Sequence, residues 1–306
     1  MRLSICVCTY NRAHILPYCL NSLTKLKVPA GCEAEILVID NNSRDNTKEV
    51  VSSFSRRSPI AVLYFHEPQQ GLSAARNRAI KEARGEYLGF LDDECVVRSD
   101  WLQIIIADIE EFAPFIIGGP YIGALVPGAA PPKWFKTDYG NAYFLADNFK
   151  RGYQEEFRAS AGNIFLHRTV FEKQQFDRNF GLEGDKMKFG EETILQERFL
   201  SENAEAMVFY EPRIEVAHYI LPHKMSLSYH ARRKMELGAC HCKIKSTALS
   251  LEIARVLAHL CVFPFRAVFR DRSAYPYWQN YVYERVIPRV MPAIGAALEK
   301  VRGRYR

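Results

Sequence analysis

The chain has 306 residues, enough for one large domain or two smaller ones, and its 48% hydrophobic and 25% charged residues are an ordinary globular composition. No stretch is low in complexity and no repeat recurs, which excludes solenoid and collagen-like architectures. The net charge of +6 conceals an asymmetry: residues 224–306 carry 16 Lys and Arg against 5 Asp and Glu, whereas residues 1–223 carry 25 against 30. A front with an acidic balance and a basic tail suggest two jobs, the tail facing nucleic acid, an anionic membrane or an acidic partner.

The opening run, Leu3–Thr9, is apolar and β-prone and ends in the polar turn Thr9-Tyr10-Asn11-Arg12. Ile15, Leu16, Cys19, Leu20, Leu23 and Leu26 then recur at helical spacing. A second strand, Glu35–Ile39, ends in Asp40-Asn41-Asn42-Ser43, and Asp45 is placed to cap a helix over Thr47–Arg57. A third strand over Ile60–Phe65 and a helix over Leu72–Arg84 follow.

The fourth apolar run, Glu86–Leu91, empties into three consecutive carboxylates, Asp92, Asp93 and Glu94. Unpaired charges are too costly to bury, so these acids must meet water, cations or a metal. Carboxylate oxygens at a strand end suit Mg2+ or Mn2+, which can hold a diphosphate in turn. An acidic turn leading to a helix at Trp101 is the competing reading.

Alternation of strand and helix with short connections implies a parallel, doubly wound sheet, and in such sheets ligands gather at the carboxyl ends of the strands. The clusters Thr9–Arg12, Asp40–Ser43 and Asp92–Glu94 all sit at such ends. The first turn has no glycine, which argues against a dinucleotide fold, and no phosphate-binding P-loop is present.

Four stretches in order, Ser4–Arg12, Val38–Asp45, Gly71–Asn77 and Phe90–Glu94, resemble the family 2 glycosyltransferases of GT-A fold. The likeness is strong over residues 1–100 and continues weakly to about 220. It implies an α/β, Rossmann-like, mostly parallel doubly wound sheet with a helical C-terminal extension. Residues 1–223 would form the catalytic domain (1–110 binding the nucleotide-sugar, 111–223 the acceptor) and 224–306 a basic amphipathic helical region. By the same resemblance Thr9, Tyr10, Asn11, Arg12, Asp40 and Asn42 line a base and ribose pocket. Arg76 lies near the diphosphate or the ribose, Asp92–Glu94 match the family's DxD signature, with Asp92 and Asp93 on the nucleotide-sugar, and Asp93 and Glu94 are candidate ligands of Mn2+ or Mg2+. Glu94 stands where the family carries Asp.

In the second half, Trp134 beside Pro131-Pro132 can stack on a sugar or pack beneath a loop. Ser160–Leu166 reads as a strand, and the family places Gly162 and Asn163 near the donor sugar. Glu191 and Glu192 open a helix, where acids also suit the dipole. The resemblance makes Glu192 the first candidate for the base that takes the acceptor proton, with Glu191 holding the acceptor; Glu again stands for the family's Asp, so both acids stay in play as the base. His218 ends a strand-like run, Arg213–Ala217, and is either structural or a third metal ligand, with His223 in reserve. In the tail, Arg232, Arg233 and Lys234 fall on a helix over Ser226–Gly238. Thr247–Phe269 is apolar but interrupted by Glu252, Arg255, His259, Pro264 and Arg266, a pattern of an in-plane membrane helix or of an ordinary amphipathic one.

The eight cysteines include no CxxC pair, and no signal-peptide core follows Met1-Arg2, so reduced thiols and a cytoplasmic place on the inner membrane face are expected. The activity implied is inverting transfer from a nucleotide-diphosphate sugar, a UDP-sugar foremost, to a glycan or lipid-linked acceptor. No nucleic-acid module is present. The alternatives are a non-catalytic nucleotide-sugar or glycan-binding module and, more weakly, a nucleotidyltransferase.

Overall fold

A computed structural model describes residues 1–141, 149–184, 188–244 and 275–304. The amphipathic stretch Thr247–Phe269 lies outside the described residues. The first half follows the expected alternation: β1 (Arg2–Thr9), α1 (Leu16–Leu23), β2 (Glu33–Asp40), α2 (Thr47–Ser55), β3 (Ala61–His66), α3 (Leu72–Glu82) and β4 (Tyr87–Asp92). Then come β5 (Cys95–Val96), α4 (Trp101–Phe112), β6 (Ile116–Gly118), β7 (Tyr121–Leu125), β8 (Gly152–Gln154), β9 (Asn163–His167), α5 (Glu191–Glu202), β10 (Val208–Tyr210), β11 (Val216–Ile220) and α6 (Leu227–Ile244). A helical turn at Trp278–Tyr281 and a π-turn at Val282–Val286 lead into α7 (Ile287–Arg304).

Among the described residues an eight-stranded sheet runs β3-β2-β1-β4-β9-β6-β10-β8, and a three-stranded one runs β5-β11-β7. The four strands from β3 to β4 are parallel, in register Thr9 with Asp40 and Cys8 with Asp92. Their carboxyl ends therefore share one edge. Beyond β4 the sheet is mixed, because β9 runs antiparallel to both β4 and β6.

Strand alternation divides the core into two layers. Leu3, Ile5 and Val7 of β1 and Ile36 and Val38 of β2 pack with α1, α2 and α4 through Leu20, Val51 and Ile105. Cys6, Leu37, Ile39, Leu88 and Phe90 point the other way and meet Ala75 and Ala79 of α3 and Leu195 and Phe199 of α5. The small alanines let α3 lie close on the sheet. Continuous apolar strands, covered on both faces, are what a parallel sheet demands.

Two details differ from the sequence reading, and one apolar stretch is divided by the fold. Asp45 does not cap α2 at its boundary residue, which is Asn46, but accepts from Thr47 N (3.2 Å) and Ala13 N (2.9 Å). Phe115–Val126 breaks at Gly119-Pro120 into β6 and β7, which belong to different sheets. His218 lies inside β11, and the segment before that strand is a short 3-10 turn, Pro212–Ile214.

The chain divides into two compact units. One holds Met1–Ala124, Gly140–Gly184 and Glu191–Tyr219; the other holds Leu125–Tyr139, Asp185–Gly190 and Ile220–Arg306. The second unit thus draws two earlier segments in with the tail. Within it α6 and α7 approach at backbone level, since a methyl on Gly238 would meet the Pro292 backbone and one on Gly295 the Met235 backbone. Trp134 is buried there, packed on Phe135, Tyr139 and Tyr283, with its carbonyl accepting from Asn280 Nδ2 at 2.5 Å. Trp134 thus packs beneath its loop within the second unit. No described helix is long and apolar enough to cross a membrane.

Gly89 sits at the centre of β4 opposite Phe165, and a methyl there would collide with that ring, itself packed on Trp101 at 5.2 Å. Gly89→Ala is expected to lower stability by about 1–3 kcal/mol through overpacking. A denaturant titration checks this, and an unchanged midpoint would contradict the packing described.

Candidate active site

The two loops at the carboxyl ends of β1 and β2 are tied to each other. Asn11 takes φ +52° and Asn42 φ +66°, a left-handed region that Asn tolerates better than most residues. Asn11 N donates to Ser43 Oγ (2.8 Å), and Arg44 N donates to Asn11 Oδ1 (2.7 Å). Asp40 is buried and accepts from Ser43 N (2.8 Å) and the Tyr64 hydroxyl (2.7 Å). Tyr10 is half-buried at the same edge. Asn41 holds the neighbouring loop, accepting from Gly71 N (2.8 Å) and donating to Gln69 O (2.7 Å).

The three acids after β4 separate by environment. Asp92 keeps a side-chain exposure of 36%, against 8% for Asp93 and 6% for Glu94. Asp93 accepts from the Thr9 hydroxyl (2.7 Å) and from Arg12 (3.2 Å); Glu94 accepts from Arg12 (2.6 Å) and lies 3.0 Å from His218 Nε2. Burial pushes the Asp93 carboxyl above its usual range, with Arg12 opposing. Arg12, expected in a base and ribose pocket, is here the counterion of two buried acids.

The donor cluster in the structure differs from the set expected from the sequence. Asp93 turns inward and has its oxygens engaged. Among the described residues, the groups whose donor atoms lie mutually within 4.8 Å are Asp92, Cys95 and His218. The set offers oxygen, sulfur and nitrogen around an accessible carboxylate, and it fits a divalent cation by donor chemistry. His218 is common to both sets; Cys95 was not among the candidates read from the sequence.

Arg76 joins the acids to α5. It is 4% exposed, bonds Glu191 Oε1 at 2.5 Å, lies 3.8 Å from Asp92 Oδ1, and its guanidinium sits 5.4 Å from the Phe176 ring centre. Its neighbour Asn77 clamps the backbone of Phe176 from both sides (2.9 Å each), and Ser73 donates to Phe180 O (2.7 Å). The Gly71–Asn77 motif therefore builds the approach to α5. With Glu191 engaged by Arg76, Glu192 is left half-buried among protein atoms. Burial first, then the Glu191 charge, push its pKa up to about 8, against the pull of Arg76. An acid raised in this way adds most to stability below its unfolded value, and that contribution is lost as pH rises towards about 8.

Gly162 is required sterically: a methyl there would collide with the Tyr121 hydroxyl and come within 2.6 Å of Asp92 Oδ2. Asn163 is not free to touch a sugar. It is fully buried, accepting from Trp101 Nε1 (3.2 Å) and donating to Ile214 O (2.7 Å) and Pro120 O (3.2 Å). Its polar groups satisfy backbone that the mixed half of the sheet leaves unpaired. Tyr121, unnoticed in the sequence, packs edge-on against His218 (5.4 Å) and reaches Ser160 Oγ (3.2 Å) and Asp92 (3.5 Å). Only its apolar flanks were legible, and they said nothing of this placement.

The sequence profile of Glycosyl transferase family 2 matches residues 4–174, more than half of the chain. The chain belongs to that family. A succinoglycan biosynthesis protein, ExoM of Rhizobium meliloti, is 26% identical over 80% of this chain and 75% of its own length. The glycosyltransferase AglE of Haloferax volcanii is 34% identical over 38% of each chain, so the match spans well under half of that relative. Among solved structures, a mannosyltransferase from Pyrobaculum calidifontis, in complex with GDP-Man and Mn2+, superposes with TM-score 0.59 at 15% identity, over 98% of this chain and 75% of the other. Staphylococcus aureus TarS 1–349 in complex with UDP gives 0.53 at 15% identity, over 99% and 92%. At such identity these two structures establish the GT-A fold.

Removing one partner of the buried Arg76–Glu191 pair strands a charge. Arg76→Met is expected to cost about 3–5 kcal/mol, and the double change with Glu191→Leu to recover most of it. Thermal or denaturant unfolding of the set checks this; equal losses in single and double variants would refute the pairing.

Proposed function

We propose that this chain moves a sugar from a nucleotide-diphosphate donor, a UDP-sugar, to a hydroxyl of a glycan or lipid-linked acceptor in polysaccharide synthesis, with inversion at the anomeric carbon. The observation that carries the reading is the meeting of Asp92, Arg76, Glu191 and Glu192 at the carboxyl edge of the sheet. The names of relatives lend support: ExoM belongs to succinoglycan biosynthesis, and TarS is a poly(ribitol-phosphate) beta-N-acetylglucosaminyltransferase.

In this reading Asp92 and His218 hold a divalent cation, Mn2+ or Mg2+, which as a Lewis acid would stabilise the departing diphosphate. The linked loops after β1 and β2 seat the nucleotide. Arg76 fixes Glu191 and so orients the start of α5. Glu192 takes the proton of the acceptor hydroxyl as that oxygen attacks from the face opposite the leaving group. Its raised pKa keeps it protonated in the free protein at neutral pH, so it becomes a competent base as pH climbs towards about 8.

Glu192→Gln is expected to cut transfer at least about 100-fold while donor binding survives. In the unaltered chain kcat/KM should rise with pH to a plateau above about 8. Glu191→Gln should move that limb to lower pH, because it removes a neighbouring negative charge and frees Arg76. Transfer undiminished in Glu192→Gln would overturn the mechanism, and a chain that turns over no nucleotide-sugar would be a binding module.

The basic balance of residues 224–306 supports a place at an anionic membrane surface. The full chain is expected to float with anionic vesicles and not with neutral ones; equal partition would remove this part.

A further inference from the structure

The cluster beside Asp92 contains a sulfur, and the sheet puts it there. β5 is two residues long, and its pairing with β11 sets Cys95 directly opposite His218. Residues opposed in this way on antiparallel strands project on the same face, with Cβ atoms about 4.5–5.5 Å apart. Asp92 ends β4 just upstream, and one donor atom from each of the three lies within 4.8 Å of the other two. Tyr121, on the other side of β11, closes the flank, its ring edge-on to His218 and its hydroxyl 3.5 Å from Asp92 Oδ2. Glu94 holds a ring nitrogen of His218 at 3.0 Å, the kind of carboxylate contact that orients an imidazole for metal binding.

A buried thiol alone is an ordinary small hydrophobe. Cys95 differs because two other donors converge on it, one of them open to solvent. An all-oxygen set suits Mg2+, which takes carboxylates and keeps its waters. A mixed oxygen, nitrogen and sulfur set suits borderline and soft ions such as Zn2+, Co2+ or Cd2+.

We infer that the cation site of this chain is completed by Cys95 and that it prefers a thiophilic divalent ion to Mg2+. The inference rests on the proposed transfer reaction for its catalytic use, but not for binding itself. On binding, the Cys95 S–H bond breaks, the proton passes to solvent, and the sulfur lone pair forms the bond to the ion. No oxidation state changes.

The test uses the full chain, reduced and stripped of metal, titrated with Cd2+ while thiolate-to-metal charge-transfer absorption and proton release are followed. One equivalent should produce the band and release a proton. Cys95→Ser should lose the band and weaken binding by more than the roughly tenfold that loss of even an outer partner costs. Cys32→Ser, at a part-buried thiol of the turn before β2, should change neither. A band that survives in Cys95→Ser, or that is absent from the unaltered chain, overturns the inference. If circular dichroism shows that Cys95→Ser does not fold, His218→Asn carries the test: cadmium affinity must fall, and an unchanged affinity overturns the inference.

Sugar transfer with Mn2+, measured on the same preparations, separates the two readings. A Cys95-dependent band in a chain that transfers no sugar upholds the site and removes the proposed reaction. Transfer without any such band does the reverse.

Discussion

The geometry of this site hangs on one buried guanidinium. Arg76 lies under the sheet edge with Glu191 at 2.5 Å and Asp92 at 3.8 Å, so a single cation neutralises acids delivered by a strand and by a helix that are far apart in sequence. Burying such a group is unfavourable unless both its charge and its donors are met. That requirement fixes α3 against β4 and α5 together. Glu192, next to the tethered Glu191, inherits its position from that contact, while its raised pKa comes first from burial and then from the Glu191 charge, against the pull of Arg76.

A second guanidinium performs a similar service on the other side of the acids. Arg12 reaches from the turn after β1 to Asp93 and Glu94, which lets two carboxylates sit almost wholly buried beside Thr9. The outcome is a division of labour among three adjacent acids. Two are buried against an internal counterion. The third, Asp92, keeps its solvent access and shares its surroundings with Cys95 and His218.

Much of the fold was legible because local pattern and burial agree in the first half. Apolar runs at β1, β2 and β4, with helical spacing between them, leave little choice but a parallel sheet, and polar strand ends mark its functional edge. The second half was less legible because its elements are stabilised by distant partners. β5 and β8 are too short to show periodicity, and β6 and β7 form one apolar run that only topology divides. Among site residues, Thr9, Arg12, Asp40, Arg76 and the acids were found by position in motifs, yet a motif does not reveal which carboxylate turns inward. Asn163 and Trp134, polar and aromatic candidates, are held by hydrogen bonds and packing that the sequence does not display. Cys95 and Tyr121 carry no local signal, since their importance comes from cross-strand neighbours.

The linked loops after β1 and β2 have a thermodynamic consequence. Asn11, Ser43 and Arg44 exchange hydrogen bonds across the gap, and Asp45 reaches back to Ala13. Ordering a loose loop costs about 1–2 kcal/mol of conformational entropy per residue fixed, and a ligand that must do the ordering surrenders that much affinity. Here folding has already met the cost, so a molecule settling across these loops keeps more of its contact energy as binding.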